Sequence, residues 1–175
     1  MPEHDSVTAR PFTTFNFRVR IELGGEPLCN AAFSACNGLE MTMEPETHRE
    51  GGNNVTEYKM IGPVTYGQVT LRRGMTETYD LWGWFDQISQ PTNYRTRART
   101  VVEMLPSEGN GDQSPADVRF TLHKCLPVKL SAPDLNASEG GVAIEEMQLT
   151  YERLDVEIPE ASSNGPAGPI SRSNG

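Results

Sequence analysis

From Phe15 to Leu23 the odd positions Phe15, Phe17, Val19, Ile21 and Leu23 are apolar, while Asn16, Arg18, Arg20 and Glu22 between them are polar. Successive side chains of a strand point to opposite faces, whereas a helix would scatter this pattern around its wheel. The stretch therefore predicts a strand with one buried and one wet face. That demands a partner layer, because a half-apolar strand has to cover its dry side. Gly24-Gly25-Glu26-Pro27 then carries turn chemistry and closes it.

The same reading continues along the chain. Asn30–Asn37 is extended and built of small residues, and Leu39, Met41 and Met43 alternate with Glu40, Thr42 and Glu44 until Pro45, which cannot donate to a ladder. Thr47–Tyr58 reads as a polar excursion around Gly51-Gly52-Asn53-Asn54. Val64–Arg73 is extended again, with Val69 and Leu71 on one face. Further strands are expected over Tyr94–Leu105, Val118–Cys125, Val128–Leu130 and Val142–Leu154, with an exposed loop at 107–112. One segment departs from this period. Leu81, Trp84, Phe85 and Ile88 recur at helical spacing, which predicts one packed α-helix over about 77–89. Thr76 or Thr78 would cap it, Asp80 would suit the positive end of its dipole, and Pro91 would end it. The fold class is mainly β, an antiparallel sandwich or barrel with one packed helix.

A chain of 175 residues can bury one core without staples. The expected division is an N-terminal arm at 1–10, a β domain at 11–158 and a tail at 159–175. Twelve of the last seventeen residues are Pro, Gly, Ser or Asn, too few apolar groups for a core. The net charge of −9 argues against a general nucleic-acid or anionic-membrane binder, since phosphates require a cationic face. Seven acids between Glu139 and Glu160, against Arg153 alone, account for −6 of it. The opening Met1-Pro2-Glu3-His4-Asp5 has neither the basic nor the apolar stretch of a secretory leader, so synthesis in the cytoplasm is expected. Cys29, Cys36 and Cys125 are then read as free thiols.

Catalytic and metal constellations are not evident. His4, His48 and His123 are far apart, and no Cys-x-x-Cys or His-x-x-x-His occurs. His48 between Glu46 and Glu50 is most simply a solvated loop cluster. No catalytic residue, metal or cofactor is expected. Arg95, Arg97 and Arg99 alternate with Thr96 and Ala98, so on a strand all three would share one face. They suit a solvated face or an acidic neighbouring subunit, with nucleic-acid contact disfavoured by the overall acidity, and the pair Arg72-Arg73 poses the same choice. Trp82 with Tyr79 forms the one local aromatic platform that a monomeric carbohydrate-binding module would use.

A family resemblance joins these pieces. His48-Arg49-Glu50-Gly51-Gly52 is similar to the Y-R-E-G-G loop of contractile tail tube proteins, with histidine where tyrosine is usual. Phe17–Ile21 resembles their opening strand, and Phe33–Glu40 its F-x-x-x-x-G-L continuation. Ile61-Gly62-Pro63 stands where L-P-G is usual, with the Gly-Pro order inverted. Val69–Gly74 is similar to L-T-L-K-R-G, the Trp-bearing helix follows at Leu81–Trp84, and Val142–Leu149 fits the closing strand. The match spans roughly 12–157, and the tail has no counterpart in that pattern.

The resemblance implies a phage tail tube protein, the inner tube subunit of a contractile tail or phage-like injection system. It implies a non-enzymatic subunit that forms stacked hexameric rings. Its partners would be other copies of itself, a contractile sheath, baseplate and tube-terminator proteins, and effectors or phage DNA passing through the lumen. A baseplate tube-initiator paralogue shares the pattern. The subunit-contact candidates are Arg49, Glu50, Gly51, Gly52, Asn53, Asn54, Arg72, Arg73, Arg95, Arg97 and Arg99. Leu81, Trp84, Phe85 and Ile88 are the helix-packing set.

Overall fold

In the computed structural model, residues 16–48, 57–93, 95–106, 116–133 and 141–158 are described. The 1–10 arm, Phe15, Arg49–Asn54, the 107–112 loop and the 159–175 tail lie outside them.

The first strand, β1 (Phe17–Leu23), forms where the alternation is strictest, with Val19 and Ile21 fully buried. It hairpins into β2 (Glu26–Ala31) through Gly24 and Gly25, whose φ values of 63° and 91° are the left-handed conformations glycine tolerates. Six further strands complete the main fold: β3 (Ala35–Asn37), β8 (Val69–Gly74), β9 (Ala98–Met104), β10 (Val118–Ser131), β11 (Ile144–Thr150) and β12 (Arg153–Glu157), which with β1 and β2 make one eight-stranded antiparallel sheet, ordered β2-β1-β9-β10-β11-β8-β3 with β12 also on β10.

The sheet folds onto itself because β10 bends. Its first half pairs with β9 and β12, and its second half with β11. At the corner Lys124 takes φ 55° and the register against β9 slips between Leu122 and Cys125. The partner strand bends at the same place. What reads in sequence as one strand over Val142–Leu154 breaks into β11 and β12, and the Glu152 amide donates to the His123 carbonyl at 3.0 Å. In turn, the two stretches read as Val118–Cys125 and Val128–Leu130 are one strand. Pro127 is accommodated at a second register shift. Bulges of this kind turn sheets into closed or orthogonal layers. Between the layers Val19, Ile21, Val69, Leu71, Val102, Leu122, Met147 and Leu149 form the core.

The one helix among the described residues, α1 (Asp80–Ser89), starts three residues later than its spacing predicts. Tyr79 stands at its N-cap with φ 52° and makes no capping bond. The hydroxyls of Thr76 and Thr78 bond each other at 2.8 Å instead of capping, and Asp80 accepts from its neighbour Leu81 N–H. At the other end Gln90 is extended, as the residue before a proline prefers. Leu81 and Trp84 are buried, Ile88 packs partly against the core, and Phe85 is half-buried. Trp84→Ala is expected to lower stability by about 3–5 kcal/mol as a large core truncation. Urea unfolding measures this, and an unchanged midpoint would refute the packing of α1.

Residues 41–48 and 57–66 leave the body as a two-stranded ribbon. β4 (Met41–Met43) pairs with β7 (Val64–Tyr66), and β5 (Glu46–His48) with β6 (Tyr58–Met60). Thr47–Tyr58, expected as a polar excursion, has paired ends, because a hairpin arm satisfies its backbone without needing apolar residues. The root of the arm is tied down. Tyr66 packs on Tyr151 with ring centroids 5.5 Å apart, and Tyr151 Oη donates to the Glu40 carbonyl at 3.2 Å. Gly38 at φ 88° allows the chain to cross β8's approach, since a Cβ there would lie 2.1 Å from the Gln68 carbonyl oxygen.

Candidate functional site

The arm is where this fold is least complete. In an antiparallel ribbon, residues directly opposite share a face. Met41 with Tyr66 and Met43 with Val64 therefore form one face, and Thr42 with Thr65 the other. Further out, Met60 and Tyr58 lie opposite Glu46 and His48. Met41, Met43, Tyr58 and Met60 are 48–57% exposed, and Ile61 in the kink is 84% exposed. An isolated hairpin is marginal in water, and clustered large apolar groups on a surface mark contact sites. The Arg49–Asn54 candidates lie outside the described residues.

The arginine candidates separate. Arg72 is on the outer face of β8, half exposed, with Nε 2.7 Å from Glu146 Oε2. Arg73 is corrected from a surface to an interior residue, 2% exposed. It shares the dry face of β8 with Val69 and Leu71. There its Nε donates to Glu145 Oε1 at 2.6 Å, both terminal nitrogens reach Asp80, Nη1 donates to Cys29 Sγ at 2.9 Å, and the guanidinium stacks on Phe33. Burial pushes the Asp80 carboxyl up, but the Arg73 guanidinium and the Leu81 amide outweigh it and hold it below the usual range. The cluster fastens the start of α1 to β8 and β11. Trp82 joins it, donating from Nε1 to Glu145 Oε2 at 3.0 Å, so it is half-buried and does not form an open platform with the exposed Tyr79.

The Arg95, Arg97, Arg99 row is also corrected. β9 begins only at Ala98, because Thr96 N–H closes a turn onto the Asn93 carbonyl at 2.9 Å. Arg99 alone stands in the strand, 3.8 Å from Glu22. Arg97 and Arg99 nonetheless line one shallow cleft of about 350 Å³ with Lys124 and the Gly24–Gly25 turn.

A second ionic centre was not anticipated. Glu103, 1% exposed on the outer face of β9, accepts from Arg18 at 2.7 and 2.9 Å, from Arg20 at 3.0 Å and from Arg119 at 3.0 Å. Burial raises its carboxyl, and the Arg18 and Arg119 bonds with the Arg20 charge bring it below the ordinary value. The available signal was a lone acid inside the apolar run Val101-Val102-Glu103-Met104-Leu105. Arg119 also reaches Glu157 at 3.4 Å, so the row Arg18–Glu103–Arg119–Glu157 alternates in charge across four strands.

The acidic C-terminal stretch is likewise paired with basic residues, most of them on other strands. Glu145 meets Arg73, Glu146 meets Arg72, Glu152 meets Lys124, and Asp155 meets His123 and Arg153. Most of these pairs run across strands, so much of the segment's charge is answered by basic residues of β8 and β10, while Arg153–Asp155 forms within β12. Glu139 and Glu160 lie outside the described residues. Cys29, Cys36 and Cys125 form no disulfide with one another. Among the described residues no group of three His, Cys, Asp or Glu could hold a metal, and no helix is long and apolar enough to cross a membrane.

Comparison with solved structures places this architecture among contractile particles. A chain in the cryo-EM structure of the anti-feeding prophage baseplate, 6-fold symmetrised, superposes with a TM-score of 0.71 at 27% identity, covering 87% of this chain and 99% of that one. A chain of the PVC extracellular contractile injection system, in its extended sheath–tube complex, gives 0.69 at 20% identity over 86% of this chain and 94% of that one. The anti-feeding prophage tube-terminating cap gives 0.69 at 20% identity, over 88% and 95%. Among curated sequences, the high osmolarity signaling protein SHO1 of Ajellomyces capsulatus (strain NAm1 / WU24) is 29% identical over 136 residues, 72% of this chain but 44% of that protein. The chain thus spans less than half the length of the curated relatives it matches, and that identity carries no assignment. The model of the T4-like virus tail tube protein gp19, by contrast, matches residues 13–155. With most of its length inside that match, on a mainly antiparallel β fold with one helix, this chain belongs to the T4-like virus tail tube protein gp19 family, a family of structural proteins.

Proposed function

We propose that this chain is an inner tube subunit. Copies close into hexameric rings, the rings stack into a hollow tube, and the tube conducts effectors or phage DNA when a surrounding sheath contracts. The observation that carries this is the arm: a ribbon with an exposed methionine-rich face on a chain of the tail tube family. Such a face is a liability in a monomer and an asset where neighbours cover it. The alternating Arg18–Glu103–Arg119–Glu157 face has no exposed large apolar side chain among the described residues, and it suits a wall left in water, such as a lumen.

The segment Arg49, Glu50, Gly51, Gly52, Asn53 and Asn54 serves contacts between stacked rings or adjacent protomers. Arg72, Arg95, Arg97 and Arg99 offer contacts to acidic neighbours. Sheath, baseplate and tube terminator are the partners of the assembled tube, inside a phage tail or an injection particle. A second reading, a baseplate paralogue that initiates the tube, is favoured by the similarity to a baseplate chain. Negative-stain electron microscopy of the concentrated protein is expected to show rings or tubes of uniform diameter. A chain that stays monomeric at high concentration, and in the presence of its baseplate, would overturn both readings.

A further inference from the structure

The outer face of β1, β9 and the first half of β10 carries a cationic surplus on a chain whose net charge is −9. Register places Arg18, Arg20 and Glu22 of β1 opposite Glu103, Val101 and Arg99 of β9, and Arg119 of β10 opposite Glu103 from the other side. On these three strands Arg18, Arg20, Arg99 and Arg119 thus share a face with two carboxylates, Glu22 and Glu103. Glu103 is 1% exposed and serves three of the four arginines at once. Arg20 and Arg119 each bring a nitrogen to 3.0 Å from the same oxygen, Glu103 Oε1, and their side chains stay 42% and 39% exposed. Arg20 Nε is buried with no hydrogen-bond partner among the described residues. Arg99 is 55% exposed and 3.8 Å from Glu22, beyond hydrogen-bond reach. At that end the face runs into the cleft lined by Arg97, Arg99 and Lys124.

We propose that this face binds an acidic, extended polypeptide whose carboxylates meet Arg20, Arg99 and Arg119; as an account of cargo it rests on the tube reading above. Three features favour that occupant. Guanidinium groups gathered on one carboxylate repel each other, and a second carboxylate relieves that repulsion, since the planar fork of arginine can hold one acid while bonded to another. An extended peptide with acids at alternate positions repeats its charge about every 6.8 Å, the interval that also separates Arg18 from Arg20 along β1. None of the exposed large apolar side chains of the described residues lies on β1, β9 or the first half of β10, so the contact is ionic and readily reversed. That suits a chain that has to pass rather than stay. DNA fits the face less well. Unpaired bases would find no aromatic side chain on its outer side to stack on, and the dense charge of a duplex would meet the exposed carboxylates Glu22 and Glu157.

Fluorescence anisotropy of the full chain with a labelled peptide of alternating glutamate and serine supplies the test. Binding is expected at low ionic strength and should weaken steeply as salt is added, whereas a peptide of alternating lysine and serine should stay unbound. Arg20→Gln with Arg99→Gln is expected to weaken binding about tenfold, the loss of two exposed ion pairs near the upper end of their usual worth. Glu103 keeps Arg18 and Arg119 in that variant, and far-UV circular dichroism checks its fold. Arg99→Gln alone, which removes no hydrogen bond, should weaken binding about threefold and decides the matter if the double variant misfolds. Lys129→Gln removes a charge from the half of β10 that pairs with β11 and should leave binding unchanged. No binding of the glutamate peptide at low salt, or binding that ignores both arginine variants, would overturn the proposal. So would an oligothymidylate bound more tightly than the peptide and released by the same variants, which would make nucleic acid the occupant. Because the assay needs no assembly, a chain that forms rings or tubes yet leaves the peptide unbound would overturn this proposal alone. A chain that binds the peptide and never assembles would overturn the tube reading and uphold the binding face.

Discussion

Arg73→Met is expected to destabilise the folded chain by about 3–5 kcal/mol, because it strips the cation from two carboxylates held inside the fold. Glu145 is 2% exposed, and Asp80 is largely covered at the start of α1. Neither carboxylate can turn to water without undoing the contact between α1, β8 and β11. The sign of the pH effect follows from Asp80. In the native chain its folded carboxyl lies below its unfolded value, so it contributes stability above about pH 4, lost as pH falls through the folded value. Without Arg73 the remaining influence of burial opposes ionisation. The cost of the substitution is therefore greatest at neutral pH and shrinks as acid protonates Asp80. Urea unfolding at pH 7 and pH 4.5 measures both. The triple variant Arg73→Met, Asp80→Asn, Glu145→Gln should recover more than half of the loss, because it leaves no buried charge unpaired. An Arg73→Met chain as stable as the wild type would mean the cluster is solvated.

Met43→Asp combined with Met60→Asp is expected to abolish assembly while leaving the monomer folded. Both side chains are about half exposed in the single chain, so their replacement touches no core contact. The expected change in monomer stability is within about 0.5 kcal/mol. In an assembly that buries this face, each methionine removed forfeits about 1.5–3 kcal/mol of burial and each aspartate adds a desolvation penalty. Every 1.4 kcal/mol is about a tenfold loss in affinity per contact, and a ring requires all its contacts together. Sedimentation and electron microscopy should find monomers, with far-UV circular dichroism unchanged. Rings formed as readily as by the wild type would show that the arm's apolar face stays outside the interface. This result is independent of which surface receives the arm.

Much of the fold is legible in single segments. β1 follows from nine alternating residues, and α1 from four apolar side chains at helical spacing. The helix start was misplaced because a capping threonine is a local preference, and here Asp80 is drawn inward to Arg73 while Tyr79 takes the left-handed turn. The interior place of Arg73 was partly readable, since it shares parity with Val69 and Leu71. Its charge, taken alone, argued for the surface. Glu103 was readable in the same way, as an acid within an apolar run. What no window of sequence contains is the partner: Glu145 lies 72 residues from Arg73, and Glu103 lies 85 from Arg18.

By itself, then, the sequence determined the alternation of its strands, the helix at α1, and the family pattern that runs through them. Each of these is a local property, set by which face a side chain takes and which backbone angles a residue tolerates. Tertiary structure alone decided the bend of β10 at Lys124, the pairing of the acidic C-terminal strands with basic neighbours, and the joining of Glu46–His48 to Tyr58–Met60 as an arm. These depend on strand order and register, which the alternation of side chains leaves open. The surplus of negative charge looked in sequence like an acidic surface. In the fold much of it is answered across the strands, and the surface left without a partner is an apolar one.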